Sequence, residues 1–415
     1  PGWAAAVPVL GAGLVIAGGV SPVRGGVAGV LGLRPLQFGG RISYSLYLVH
    51  WPILVLPKLV VGSATVLPLW ATAALAVVSV PVAWLLHRLV EDPARRARPL
   101  ASARPRRSLL AAAAGALVLA SVAAGGIAVT GMMPLDDGRA LARTAPSAPP
   151  VASAIVATNL TPGLVAAADD NPAIYAQGCE VGYTPSVPHP CSYGAASGPA
   201  IVLFGDSHAA QWFPALQKIA DANGQRLVTQ TKSACASAEV ALSWGGSEYA
   251  SCDAWRRSVI ASIRADPPAM VVIANYGNPD LDDPTDGAAQ WRRGLESTIR
   301  QLSDVTQVVV IADTPDLRQN PAVCLSAHLD DTTACAPTSS FALDDLARSA
   351  EVAATSATGT PLIDLTGYFC TAALCPPIIG NTLVYRDSHH LTATFSAELA
   401  PALARALPPV VRGAG

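Results

Sequence analysis

Two stretches far apart in the chain hold the residue types from which acyl chemistry can be built. The first is Ile201-Val-Leu-Phe-Gly-Asp-Ser-His-Ala, an apolar run that stops at Gly205-Asp206-Ser207-His208 and is followed by a helical pattern. It reads as a buried strand that delivers a serine at a sharp strand-to-helix turn. Gly205 can take up backbone angles closed to other residues. The helix start behind the serine offers free N–H groups and a positive dipole end. A serine placed there can act as a nucleophile, and its own N–H can help to hold an oxyanion. It still needs a base, because a hydroxyl is a weak nucleophile at neutral pH. The second stretch, Tyr385-Arg-Asp-Ser-His-His-Leu-Thr, can supply a carboxylate and an imidazole from one loop, with His389 and His390 both eligible.

The elements needed to position these groups are present. From Ala200 onward, β-branched runs alternate with helical patterns. Strands are expected at Ile201–Phe204, Arg226–Gln230, Met270–Ala274, Val308–Ala312 and Leu362–Leu365. Helices are expected over Ala209–Ala222, Asp253–Ala265, Ala288–Ser303, Phe341–Ala354 and Thr392–Ala406, with Asp253 and Thr392 as N-caps and Asn223-Gly224 as a C-cap. Such alternation gives parallel strands covered by helices on both faces. In that architecture the ligand site lies beyond the strand C-termini, which is where Ser207 falls.

Gly205-Asp206-Ser207-His208 resembles the first signature block of the SGNH (GDSL-like) hydrolase superfamily, and Asp387-x-x-His390 resembles its last. The resemblance implies a flavodoxin-like three-layer α/β fold and a triad of Ser207, His390 and Asp387. The family spacing selects His390 over His389 as base. His208 is then a polar residue of the first helical turn, and Asp206 orients that turn by accepting backbone N–H groups. The superfamily's second-block glycine is not evident. Its third block appears as Asn275-Tyr-Gly-Asn278, so the oxyanion candidates are Ser207, Asn275 and Asn278. Asp387 and the adjacent histidines could alternatively bind a metal; the expectation is no metal and no bound cofactor.

The chain has 415 residues with a net charge of −2, so its overall balance suggests no nucleic-acid partner. Charged residues make up only 13%, about half the usual share. All eight cysteines lie at or after Cys179, which suggests disulfides in an oxidising compartment. Their order leaves 105 connectivities open. Sequential pairing, Cys179 with Cys191, Cys235 with Cys252, Cys324 with Cys335 and Cys370 with Cys375, closes short loops without crossing and is the expected one.

Four apolar segments in the first third approach the about 20 residues needed to span a bilayer: Trp3–Val20, Ile42–Val61, Leu67–Val90 and Leu109–Thr130. Arginines at 88, 95, 96, 98, 104, 106 and 107 fill the loop between the last two segments. That loop is expected on the cytoplasmic side, which places everything after about Met132 outside.

Gly40-Arg-Ile-Ser-Tyr-Ser-Leu-Tyr-Leu-Val-His-Trp-Pro-Ile-Leu and Val90-Glu-Asp-Pro-Ala-Arg95 resemble the late transmembrane part of the acyltransferase-3 family of integral membrane acyltransferases. Many members carry an extracytoplasmic SGNH domain behind one extra span. The implied organisation has four parts: the C-terminal part of an acyltransferase-3 membrane domain (residues 1–100), a basic loop and linking transmembrane helix (101–133), an Ala/Pro-rich linker (134–172) and an SGNH domain (173–415). The fold class is thus α-helical transmembrane segments followed by an extracytoplasmic α/β domain. A family membrane domain has more spans, and the chain starts mid-pattern at Pro1, so a missing N-terminal transmembrane part is expected.

The resemblance implies a multi-pass protein of a bacterial cell membrane that moves an acyl group, most often acetyl, from cytoplasmic acyl-CoA to a cell-surface glycan. The alternatives are an SGNH carbohydrate esterase, in which water is the acceptor, and an inactive, membrane-tethered glycan-binding fragment.

Overall fold

The structure is a computed structural model and describes residues 6–19, 27–61, 67–96, 105–132 and 135–410. The chain divides into two compact units, Pro1–Met133 and Pro134–Gly415.

In the first unit, helices form at each of the four apolar segments, over Ala6–Gly19, Arg34–Val61, Leu69–Leu86 and Pro105–Met132. Among the described residues, one continuous helical run, Leu69–Arg96, is long and apolar enough to cross a membrane. The long helix Arg34–Val61 packs against Leu69–Leu86. At one end of this pair, Glu91 accepts a hydrogen bond from Ser45 at 2.6 Å and pairs with His87 at 3.1 Å and Arg95 at 2.8 Å. Ser45 and Glu91 belong to the two acyltransferase-3-like motifs, so this contact joins them. His50 Nδ1 lies 3.0 Å from the carbonyl of Leu46, one turn back in its own helix.

The second unit is built on a seven-stranded sheet. Its strands are β1 (Glu180–Val181), β2 (Cys191–Gly194), β3 (Ala200–Gly205), β4 (Arg226–Lys232), β7 (Met270–Ala274), β8 (Gln307–Ile311) and β9 (Leu362–Ile363). Two hairpins lie outside it: β5 with β6 (Ser243–Trp244, Ser247–Glu248) and β10 with β11 (Ile378–Ile379, Thr382–Leu383). The order β1-β4-β3-β7-β8-β9 is parallel throughout, and β2 adds antiparallel to β4.

Both faces of the sheet are covered, which explains why its strands β3, β7 and β8 read as continuous apolar runs. Ile201, Leu203, Val272, Val309 and Ile311 pack into one core. Val202, Phe204, Val271, Ile273, Val308 and Val310, the alternate residues, pack into the other. The first core is closed by Phe213–Ala222 and the C-terminal helices, the second by Ala250–Ala265, Gly287–Ser303 and Arg348–Thr358.

Several helices differ from expectation for local reasons. The first breaks into Ser207–Ala210 and Phe213–Ala222, with Pro214 in the opening turn of the second piece. The last breaks into Ala393–Glu398 and Ala400–Ala406, with Pro401 in the same role, as suits a residue that has no N–H to donate. In place of Phe341–Ala354 there is a single turn, Ser339–Ala342, and then Arg348–Thr358. The second helix starts at Ala250, so Asp253 lies inside its first turn and pairs with Arg256 rather than capping. Thr392 does cap, accepting from Phe395 N at 3.1 Å.

Residues 135–172, within the stretch expected as an Ala/Pro-rich linker, instead form a packed strap. Val156, Leu160, Leu164 and Ala167 are buried with Leu325, Cys335, Ile378 and Leu383 in a third core. Backbone bonds cross from the strap to β10–β11, from Gly380 N to Val151 O at 2.8 Å and from Leu383 N to Thr161 O at 2.9 Å. Apart from the short 3-10 helix Leu164–Asp169, its apolar residues are too irregularly spaced for a helix or strand of their own. They order because a surface formed by distant residues receives them.

Candidate active site

Gly205 ends β3 with φ +155°, and a Cβ there would lie 1.9 Å from the carbonyl oxygen of Ala274 on β7. Only glycine allows the two strand ends to approach so closely. Asp206 then caps the turn. Its Oδ1 accepts from His208 N at 2.8 Å, and its Oδ2 accepts from Tyr276 N at 2.9 Å on the loop after β7. Burial pushes this carboxyl up to about 7 against those same N–H bonds. The serine turn is therefore tied to the neighbouring strand from both sides.

The structure brings the two distant loops together. Ser207 Oγ lies 2.9 Å from His390 Nε2, and His390 Nδ1 lies 2.8 Å from Asp387 Oδ2. The other carboxylate oxygen of Asp387 accepts N–H groups from His389 at 3.0 Å and His390 at 2.8 Å. Gln211, just behind the serine helix, clamps the loops to each other. Its Oε1 accepts from Leu391 N at 2.8 Å, and its carbonyl accepts from Ser396 Oγ at 2.6 Å. The strap contributes too, since Asp170 accepts from Ala393 N and Thr394 N, two residues of the helix start after His390.

Burial is the largest influence on the His390 imidazole and holds it below its ordinary value, with the Asp387 hydrogen bond opposing. A neutral ring can accept the serine proton. Burial pushes the Asp387 carboxyl up, but the His390 hydrogen bond, its charge and the two N–H bonds outweigh it and leave the group well below the usual carboxylate range.

A cavity of about 560 Å³ opens beside Ser207, His390 and His389. Asn278 lines it, while Asn275 does not. Asn275 is fully buried, and its Oδ1 accepts from both N and Oγ of Ser237. Its Nδ2 is buried and has no hydrogen-bond partner among the described residues, so Asn275 keeps a free donor and stays an oxyanion candidate beside Asn278. Ala234, which the sequence did not single out, lines the cavity at the end of β4 with φ +50°. Among the described residues, the N–H groups of Ser207 and Ala234 have no hydrogen-bond partner, so both are free to face an oxyanion. A left-handed alanine is uncommon, and no residue type announces one in sequence.

His208 was also underread. It does lie in the first helical turn, Ser207–Ala210, but it is buried and hydrogen-bonded. Its Nδ1 lies 2.5 Å from Asp313 Oδ1, and its Nε2 lies 2.8 Å from His389 Nδ1. Asp313 further accepts from Thr314 N at 2.7 Å and Gly277 N at 2.6 Å. A second Asp–His pair thus supports His389 beside the first pair. Ring nitrogens of His208, His389 and His390 lie within 4.8 Å of one another, close enough to share a metal ion. A metal would take the lone pairs that the His208–His389 and Ser207–His390 hydrogen bonds use.

All eight cysteines are joined in the sequential pairs expected. Two of the loops they close, 179–191 and 235–252, flank the cavity through Tyr183 and Trp244.

A parallel α/β sheet with a serine, an imidazole and a carboxylate aligned at its C-terminal edge defines an enzyme of the acyl-transfer or esterase type. Residues 178–405 match the SGNH domain family, in the form fused to AT3 domains, and the chain belongs to that family. No curated protein matches the chain. Among solved structures it is similar to the periplasmic domain of the lipopolysaccharide acetyltransferase of Salmonella ser. Paratyphi A, with 18% identity, coverage of 50% of this chain and 83% of that one, and a TM-score of 0.42. A second solved structure is matched at 11% identity, over 52% of this chain and 100% of that one, with a TM-score of 0.29.

Proposed function

We propose that the protein is a membrane-anchored O-acyltransferase, most simply an O-acetyltransferase, whose extracytoplasmic domain passes an acyl group through Ser207 to a cell-surface glycan. The observation that carries this is the alignment of Ser207 Oγ, His390 and Asp387 at 2.9 Å and 2.8 Å. The family's fusion to AT3 domains and the run Leu69–Arg96 support membrane attachment. Four disulfides support a site outside the cytoplasm.

In the proposed mechanism His390 Nε2 takes the proton of Ser207 while Asp387 holds the Nδ1–H tautomer. The serine oxygen attacks the acyl carbonyl carbon, and the oxyanion that forms is held by the N–H groups of Ser207 and Ala234. His390 returns the proton to the leaving group, and an acyl-serine ester remains. A sugar hydroxyl then gives its proton to His390 and attacks the same carbon. The glycan ester leaves and Ser207 recovers its proton. Acyl-CoA, in practice acetyl-CoA, is the proposed ultimate donor. Water competes with the sugar for the acyl-serine.

The test uses the full chain in detergent with p-nitrophenyl acetate, with and without chitotriose or cellotriose. Serine-dependent p-nitrophenol release together with acetylated sugar is expected, and Ser207→Ala abolishes both. Release without any acetylated sugar would leave an esterase; release undiminished in Ser207→Ala would remove the proposed enzyme altogether.

A further inference from the structure

The catalytic unit holds four tryptophans. Trp212, Trp255 and Trp291 are at most 1% exposed, whereas Trp244 is 46% exposed. Its ring stacks on that of Tyr183, itself 40% exposed, with centroids 4.8 Å apart and planes at 13°. Both rings line the cavity that holds Ser207. Leaving two large aromatic faces in water forgoes burial that the rest of the unit achieves, so the arrangement needs a reason.

The platform is also built rather than incidental. Trp244 sits in the β5–β6 hairpin inside the Cys235–Cys252 loop, and Ser243 N donates to Asp280 O at 2.8 Å across the pocket mouth. Tyr183 sits inside the Cys179–Cys191 loop. Beneath it the fully buried Lys232 donates to the carbonyls of Gly182, Tyr183 and Pro185 at 2.5, 2.8 and 2.8 Å. A lysine is rarely buried; this one is satisfied by fixing the backbone that carries Tyr183. Two covalent staples and a buried cation hold one pair of rings at the wall of the active-site pocket.

From this geometry we infer that Tyr183 and Trp244 form a subsite for a pyranose ring of the acceptor. A pyranose presents a face of C–H groups ringed by hydroxyls. That face suits a flat aromatic pair, and the hydroxyls suit the polar rim of Ser233, Ser243 and Asp280 beside it. An acyl chain would match the rings but strand the rim. The inference rests on the acceptor proposed above and assigns it a place: the sugar lies on the platform and directs a hydroxyl toward Ser207.

Equilibrium binding of chitotriose and cellotriose to the full chain carrying Ser207→Ala, in detergent, tests it without turnover. Saturable binding of at least one trisaccharide is expected. Adding Trp244→Ala should weaken it about 3- to 10-fold, the worth of one aromatic stacking contact, and Trp244→Phe should recover most of the loss. Circular dichroism melts check that each variant is folded. Absence of binding to the parent, or binding unchanged in both Trp244→Ala and Tyr183→Ala, overturns the subsite. Platform-dependent binding by a wild type that never acetylates the sugar instead overturns the transferase and leaves the subsite standing.

Discussion

Two Asp–His pairs stand side by side in this protein, and replacing each aspartate by asparagine should have different consequences for activity. An asparagine keeps one carbonyl oxygen and turns the other position into a donor. The oxygen is retained where more N–H groups converge. In Asp387 that is Oδ1, which accepts the N–H groups of His389 and His390, so the new NH2 faces His390 Nδ1. The ring must then accept at Nδ1 and carry its proton at Nε2, aimed at Ser207 Oγ, where no base is left. Asp387→Asn should lower kcat/KM for p-nitrophenyl acetate by roughly 10³- to 10⁴-fold. Its stability should also fall, because the folded state favours the ionised carboxylate, although 41% exposure of the side chain limits the loss. In Asp313 the crowded oxygen is Oδ1, which accepts both His208 Nδ1 and Thr314 N, so the NH2 faces Gly277 N instead. His208 keeps its tautomer and the triad is untouched. The lost bond and the opposed donors cost about 1–3 kcal/mol, or roughly 2–12 °C in Tm for a domain of this size. The pair should be compared at pH 8, above the value of about 7 to which burial raises the Asp313 carboxyl. Paired melts and steady-state kinetics read both numbers. Loss of activity in Asp313→Asn with activity kept in Asp387→Asn would refute the assignment of the two pairs.

Other outcomes follow from the same geometry. The acid limb of kcat/KM should have its midpoint below the ordinary imidazole value of about 6.5, because burial favours neutral, active His390; a midpoint above 7 would contradict this. Burial pushes the Glu180 carboxyl up to about 8, whereas the unfolded group titrates near 4.3. Folding therefore takes up a proton between those values, and stability falls as pH rises through that window. Melts at pH 5.5 and 8 should show Glu180→Gln lacking this slope and gaining on the order of 2–4 kcal/mol at pH 8; equal slopes would disprove it. Gly205→Ala should cost more than about 4 kcal/mol, because its Cβ meets the Ala274 carbonyl oxygen; soluble, folded protein with a wild-type melt would count against the close approach of β3 and β7.

The central strands were legible because each is an apolar run closed by turn residues, and the serine turn because Gly-Asp-Ser interrupts such a run. The edge of the sheet was not. The strands β1 and β2 are short and polar, and they pair with β4 only because the Cys179–Cys191 loop folds onto it. The strap 135–172 reads in sequence as a linker for a related reason, since its order comes from slots provided by β10, β11 and the Cys324–Cys335 loop rather than from its own periodicity. Of the site, Ser207, Asp387 and His390 could be placed because each sits at a marked spacing. Asp313 could not: it is one acid at the end of β8, and its role depends on His208, 105 residues away. Asn275 and Asn278 were equivalent in sequence. They parted when the chain turned after β7, one toward Ser237 and the other toward the pocket.

The central claim is that Ser207 carries the acyl group, and a trapped intermediate tests it most directly. The full chain is mixed briefly with p-nitrophenyl acetate, quenched in acid and mapped by peptide mass spectrometry. A single acetyl on the peptide containing Ser207, absent in Ser207→Ala and accumulating at early times, is the expected result. Turnover that proceeds with the label on another residue, or that persists in Ser207→Ala, would contradict it.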